Sequence, residues 1–274
     1  MLKVRRFGPV TQYLMGVLHV GQVYYWCACY QFGDALIDAG APLCAAELLA
    51  AVEGAGLARV AVTHHHEDHI GANALLRRRL GLEVLAPAAA LKPLAQGFAL
   101  RPYQEMVWGW PELHAAQALG PELTTNHGPL EVLATPGHCP DHVVFLHHES
   151  GLAFVGDAFF STTPKTARID EDFAQGLESL RLLRDRRPKT MFLGLGQVVE
   201  NATEALGQCI DHVERLAGEI ERLADQGLDD GQIVEALFGR ESSLRQLTDG
   251  HMSYRYFVAA FTRRRAAEKG AGPA

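Results

Sequence analysis

Seven consecutive residues, Thr63-His64-His65-His66-Glu67-Asp68-His69, constrain this chain more than any other feature. Four imidazoles and two carboxylates do not build a core, because burying such groups is costly unless each finds a partner. The run before them, "ARVAVT", is continuously apolar and of strand length, as expected of a strand buried on both faces. The cluster therefore sits on the loop after a strand and before the helix "IGANALLRRRLG". In an extended loop alternate side chains share a direction, so His64 and His66 face together and His65 faces away. Two neutral imidazoles aimed at one point begin a zinc-type site. Asp68 and His69 follow where the chain turns into the helix, and they serve a second point nearby.

A metal needs ligands from elsewhere in the chain. "ATPGHCPDH" supplies His138 on a turn after the strand "LEVLAT", and "LAFVGDAF" supplies Asp157 at another strand end. The plainer alternatives are a turn histidine for His138 and a helix N-cap for Asp157. Their shared position at the ends of successive strands argues instead for one site at the edge of a sheet.

Around these motifs, "TQYLMGVLHV" and "VYYWCACYQ" read as a hairpin turning at Gly21-Gln22. "PLCAAELLAAVEGAG" reads as a helix, and "DFAQGLESLRLLRD" as an amphipathic helix with Phe173, Leu177, Leu180 and Leu183 on one face. Residues 87–128, rich in Pro and Gly, read as a lid-like insert of short helices and loops. Beyond about residue 198 the chain reads as wholly helical. The expected division is a catalytic unit over 1–200 and a helical C-terminal extension over 201–274.

At 274 residues the chain can bury a large core. Its net charge of -7 argues against general affinity for nucleic acid or an anionic membrane. The basic runs Arg77–Arg79 and Arg263–Arg265 read as solvated helix faces. The apolar segment near residues 10–30 is broken by Gln12, His19 and Gln22, so it reads as strands rather than a membrane span. Five cysteines, Cys27, Cys29, Cys44, Cys139 and Cys209, form no disulfide framework and suit a reducing, cytoplasmic setting.

The order "THHHEDH", "TPGHCPDH", "FVGDAFF" resembles the metallo-β-lactamase fold superfamily in its glyoxalase II-like branch, and "ALIDAG", with Asp38, resembles that family's first core motif. The resemblance implies an α/β fold, a four-layer αβ/βα sandwich with the active site at one edge of its two sheets. It implies a first metal on His64, His66 and His138, a second on Asp68 and His69, and Asp157 bridging them. His65 and Glu67 receive no ligand role. One departure stands out. Where the family carries a strand-end histidine for the second metal, "FLGLGQVV" places Leu195, which cannot ligate. The second site is then weakened or empty; Gln197 and His142 are the candidate substitutes.

The activity so implied is that of a metal-dependent hydrolase using a metal-bound hydroxide. Zinc is the expected ion, one or two per chain, with iron or manganese as alternatives. With a single metal, Asp68 is free to act as general base. A small ester, thioester or lactone is the expected substrate. Trp108, Trp110, Phe98 and Tyr103 are candidates for an apolar pocket wall, Lys165 and Arg168 for an anion contact, and His251 and Tyr254 for a contribution from the tail. The rival readings are a mononuclear iron oxidoreductase of persulfide dioxygenase type and a non-catalytic binding module. The only partners expected are the substrate and, through the C-terminal helices, a second copy of the chain.

Overall fold

The computed structural model describes residues 1–270. The first sheet begins with four antiparallel strands, β1 (Leu2–Phe7), β2 (Val10–His19), β3 (Gln22–Phe32) and β4 (Ala35–Ile37). After helix α1 (Ala45–Val52) it continues in parallel through β5 (Arg59–Ala61). Two short helices follow, α2 (Glu67–Ile70) and α3 (Asn73–Leu80), and then β6 (Glu83–Ala86). The helices α4 (Leu91–Gln96) and α5 (Pro102–Trp108) lead to the last strand of this sheet, β7 (Gln117–Ala118).

The chain then crosses to a second sheet through β8 (Glu122–Leu123), β9 (Leu130–Ala134), β10 (Val143–His147) and β11 (Leu152–Gly156). Strand β12 (Ala167–Arg168) stands apart from it. Helix α6 (Phe173–Asp185) returns the chain to β13 (Thr190–Leu193), parallel to β11, and β14 (Val198–Glu200) closes the sheet. Helices α7 (Ala202–Asp225), α8 (Asp230–Phe238) and α9 (Leu244–Leu247), strand β15 (Met252–Ser253) and helix α10 (Tyr254–Gly270) complete the chain.

Three apolar layers hold these elements. Between the sheets lie Tyr30, Phe32, Phe145, Phe154 and Phe192, with the rings of Phe154 and Phe192 stacked at 5.2 Å. The outer face of the first sheet packs through Val60, Val62 and Val84 on Leu48 of α1 and Leu76 of α3. The outer face of the second packs through Val144, Val155 and Met191 on Leu180 of α6, Ile210 of α7 and Phe257 of α10. Helix, sheet, sheet and helix are therefore stacked in the expected four layers. Helix α7 buries Leu206, Ile210, Val213, Leu216, Ile220 and Leu223, a stripe at helical spacing.

The structure departs from the sequence expectations at four places. The hairpin turns one residue early, on Val20 and Gly21, both at positive φ (50° and 75°), as a two-residue primed turn requires. Strand β1 escapes sequence reading because its LKVRRF sequence is largely solvent-exposed at the sheet edge. The 87–128 segment contains the expected short helices, but its end supplies β7 and β8, one edge strand to each sheet. The C-terminal part is not wholly helical: β15 pairs antiparallel with β12, setting Met252 opposite Arg168. Two-residue strands carry no periodicity to read. Among the described residues no helix is long and apolar enough to cross a membrane.

Candidate metal centre

Strand ends bring the site together. β4 ends at Ile37, and the next residue, Asp38, adopts positive φ (60°), a conformation that Asp tolerates better than most residues. Its carboxylate accepts from the backbone N of Thr63 at 2.7 Å, beyond the end of the neighbouring parallel β5. The histidine loop follows and leads into α2. Beyond β9, Thr135 opens the loop that carries His138. β11 ends at Gly156 and delivers Asp157, and Gly194 after β13 donates its N–H to the Gly156 carbonyl at 2.9 Å.

The six expected residues meet. His64 Nε2 and His138 Nε2 lie 2.9 and 3.0 Å from His66 Nδ1. His69 Nε2 lies 3.4 Å from Asp157 Oδ1 and 3.8 Å from Asp68 Oδ1, and His138 Nε2 lies 3.5 Å from Asp157 Oδ2. Ligand atoms of His64, His69 and Asp157 all fall within 4.8 Å of one another. Outer partners fix which nitrogen of each ring faces inward. Thr63 Oγ1 donates to Asp38 and so accepts from His64 Nδ1 at 3.0 Å. Glu171 accepts from His138 Nδ1 at 2.5 Å, and Asp38 from His69 Nδ1 at 2.8 Å. With Nδ1 carrying the proton, His64 and His138 each turn an Nε2 lone pair toward the centre.

Burial, reinforced by neighbouring histidines for His64 and by Arg168 for His66, holds both rings well below the ordinary histidine range, hence neutral. At His69 burial also opposes charge, but Asp38, Asp157 and Asp68 outweigh it and hold the ring well above that range. Burial raises Asp68; at Asp157 it is overcome by His69, His138 and His142, which keep that carboxyl low. Asp157 Oδ1 is buried with no hydrogen-bond partner. Neutral rings with converging lone pairs, beside an ionised carboxylate oxygen that has no hydrogen bond and only the His69 ring 3.4 Å away, fit a bound cation.

The remaining candidates divide. His142 is no substitute ligand: its Nε2 accepts from Asp157 N at 3.1 Å and its Nδ1 bonds Thr135 Oγ1 at 2.8 Å. Burial pushes it down to about 3, so it stays neutral and fixes the Asp157 backbone. Gln197 is exposed and absent from the cavity wall, whereas Leu195 is part of that wall. The preceding Gly194 is packed so closely that a Cβ there would stand 2.4 Å from Asp157 Oδ1. His65 points away, as the alternation requires, and its Nδ1 bonds Asp141 at 2.8 Å.

The site opens into a cavity of about 660 Å³ whose wall includes Tyr103, Trp108, Phe160, Lys165, Arg168 and Met252. Of the four aromatic candidates, Tyr103 and Trp108 therefore face it. Phe98 instead packs on His65, and Trp110 is exposed. His251 stands behind the wall, bonded to the Tyr103 hydroxyl at 2.6 Å, and Tyr254 packs on Phe238. Sequence reading missed Glu171 and Tyr25, whose hydroxyl donates to Asp68 Oδ2 at 3.2 Å. Neither belongs to a local motif with its partner.

The family model of the metallo-beta-lactamase superfamily matches residues 23–195, which include all six of the expected residues. The chain belongs to this superfamily and is a metal-dependent hydrolase. It is 32% identical over 210 residues to a hydroxyacylglutathione hydrolase of Acidiphilium cryptum, covering 74% of this chain and 77% of that one. It is 28% identical over 144 residues to a probable metallo-hydrolase of Bacillus subtilis, covering 51% of this chain and 64% of the other. Its fold matches a metallo-beta-lactamase family protein from Thermus thermophilus with a TM-score of 0.65 at 18% identity, over 95% of this chain and 94% of that one.

Proposed function

We propose that this chain hydrolyses a small thioester, ester or lactone, with zinc held by His64, His66, His138 and Asp157, and with Asp68 and His69 forming a weaker neighbouring position. The observation that carries the reading is Asp157 Oδ1, ionised, buried and without a hydrogen bond, beside imidazoles that present lone pairs. Zinc there would supply Lewis acidity, polarising the scissile carbonyl and bringing the pKa of water close to neutrality.

The chain's own residues do the rest. Thr63, Glu171 and Asp38 hold the rings of His64, His138 and His69 in the binding tautomer. Asp68, steadied by the Tyr25 hydroxyl, is the group placed to orient water and take its proton. Tyr103, Trp108 and Phe160 give the cavity an apolar wall for the acyl group and limit the entry of bulk water. The relatives named as hydroxyacylglutathione hydrolases support a thioester in first place. Five free, buried cysteines support a cytoplasmic setting.

The test is hydrolysis of a thioester, ester and lactone panel by protein of measured metal content, beside Asp157→Asn. Turnover that follows zinc content and falls at least a hundredfold in Asp157→Asn supports the reading. Iron as the resident metal, with persulfide consumed and no thioester cleaved, overturns it.

A further inference from the structure

Arg168 reaches from β12 to the histidine cluster, among the carboxylates of Asp170, Glu171 and Glu67. Its side chain is only 13% exposed, and its Nη1 donates to His66 Nδ1 at 3.3 Å. That nitrogen is the point on which His64 and His138 also converge. An imidazole nitrogen has one lone pair. It can accept from Arg168 or bind a metal, but not both. Loading the site therefore strips Nη1 of its acceptor and leaves a guanidinium close to a metal cation in a shielded cavity. The carboxylates of Glu171 and Glu67 offset part of the repulsion between these two positive groups, and an anion bridging the free Nη1 edge and the metal would offset more.

The rest of the guanidinium is already committed. Nε and Nη2 face Asp170 at 3.2 and 3.4 Å, so only the Nη1 edge points inward. The hold on Asp170 comes from the C-terminal segment: His251 Nε2 bonds Asp170 Oδ1 at 3.2 Å, and Tyr103 bonds His251 Nδ1. Pairing of β12 with β15 fixes the backbone of Arg168 opposite Met252.

We infer that Arg168 is the anion-holding residue of the cavity: its free Nη1 edge, aimed by Asp170 and the C-terminal strand, binds a carboxylate carried by the substrate close to the scissile bond. The inference rests on the hydrolase reading above and narrows its substrate class to thioesters or esters bearing a negative charge. It also gives the C-terminal segment a purpose, since His251 and β15 aim the guanidinium.

Two matched thioester pairs test it. One places the charge on the acyl side, succinyl against its methyl ester; the other places it on the thiol side, thioglycolate against thioglycolamide. The wild-type protein should prefer the charged member of one pair at least tenfold in kcat/KM. Arg168→Met should erase that preference through KM, Arg168→Lys should restore part of it, and His251→Asn should raise KM for the charged member with zinc content unchanged. The inference is overturned by equal rates within both pairs, or by a fall in kcat shared by charged and neutral members. If no thioester turns over, the hydrolase reading fails on its own. Calorimetric binding of succinate and of thioglycolate to the zinc-loaded protein then decides: binding lost in Arg168→Met upholds the carboxylate site, and binding unchanged removes it.

Discussion

Replacing Asp38 with Asn changes one atom and should undo half of the metal centre. Asp38 is 3% exposed and accepts three hydrogen bonds: from Thr63 N at 2.7 Å, from Thr63 Oγ1 at 2.9 Å and from His69 Nδ1 at 2.8 Å. Asn is nearly isosteric and tolerates the positive φ found here. Its oxygen can keep the Thr63 N–H, which turns its amide NH₂ toward His69 Nδ1. A donor then meets a donor, so the neutral ring keeps its one proton on Nε2 rather than on Nδ1. That proton would occupy the space between His69 and Asp157, where a cation has to sit. Loss of an outer partner of a ligating histidine typically weakens metal binding by about 10- to 100-fold, equivalent to about 1.4 to 2.8 kcal/mol. Loss of a charge-assisted bond costs the fold a comparable amount, about 1.5 to 3 kcal/mol. Chelator competition on folded Asp38→Asn protein reads the first number and urea melts of the chelator-treated protein read the second. Wild-type metal affinity in a variant that is less stable would refute the tautomer argument, because the carboxylate would then be structural alone.

Two other outcomes follow from the same geometry. Leu195→His should raise the metal content of protein purified without chelator from about one to about two per chain; two metals already present in the wild type, by elemental mass spectrometry, would remove Leu195 as the cause of a weak second position. His142, held down at about 3 in the folded state against the ordinary 6.5, binds its proton in the unfolded state first. His142 should therefore contribute about 1.4 kcal/mol per pH unit to the stability that chelator-treated protein loses as pH falls below 6.5, beside the contributions of His64 and His66, and His142→Gln should lower the slope by that amount; an unchanged slope in urea melts would show that His142 does not contribute it.

What could be read from the sequence was whatever lies close together along the chain. His64, His66, Asp68 and His69 share one loop, and the alternation of an extended segment already separates His65 from its neighbours. His138 and Asp157 each follow a recognisable strand, so the strand-end rule finds them. Glu171 and Arg168 could not be paired with their histidines in this way. They lie 33 and 102 residues from the rings they touch, and β12–β15, which carries Arg168, is too short to show a pattern. The aromatic residues fail for a related reason. Trp108 ends α5 and packs edge-on against Tyr25 at the cavity, while Trp110, two residues on, is 58% exposed; composition alone weighs them equally.

The two halves of the centre are supported differently, and that difference shows how one leucine can change its stoichiometry. His64 and His138 each have an acceptor of their own, Thr63 and Glu171, so both rings are oriented before any metal arrives. His69 is oriented by Asp38 but also faces Asp157 and Asp68, and these carboxylates favour its charged form. A cation entering there must displace a proton that three acids help to hold. A histidine at the end of β13 would add one more neutral donor and offset that cost. Leu195 adds none, while Gly194 beside it leaves room only for the Asp157 carboxylate and the His69 ring already present. On the proposed reading the first position should fill on its own ligands, and the second should depend on the charge that a substrate, or a solvent ligand, brings with it.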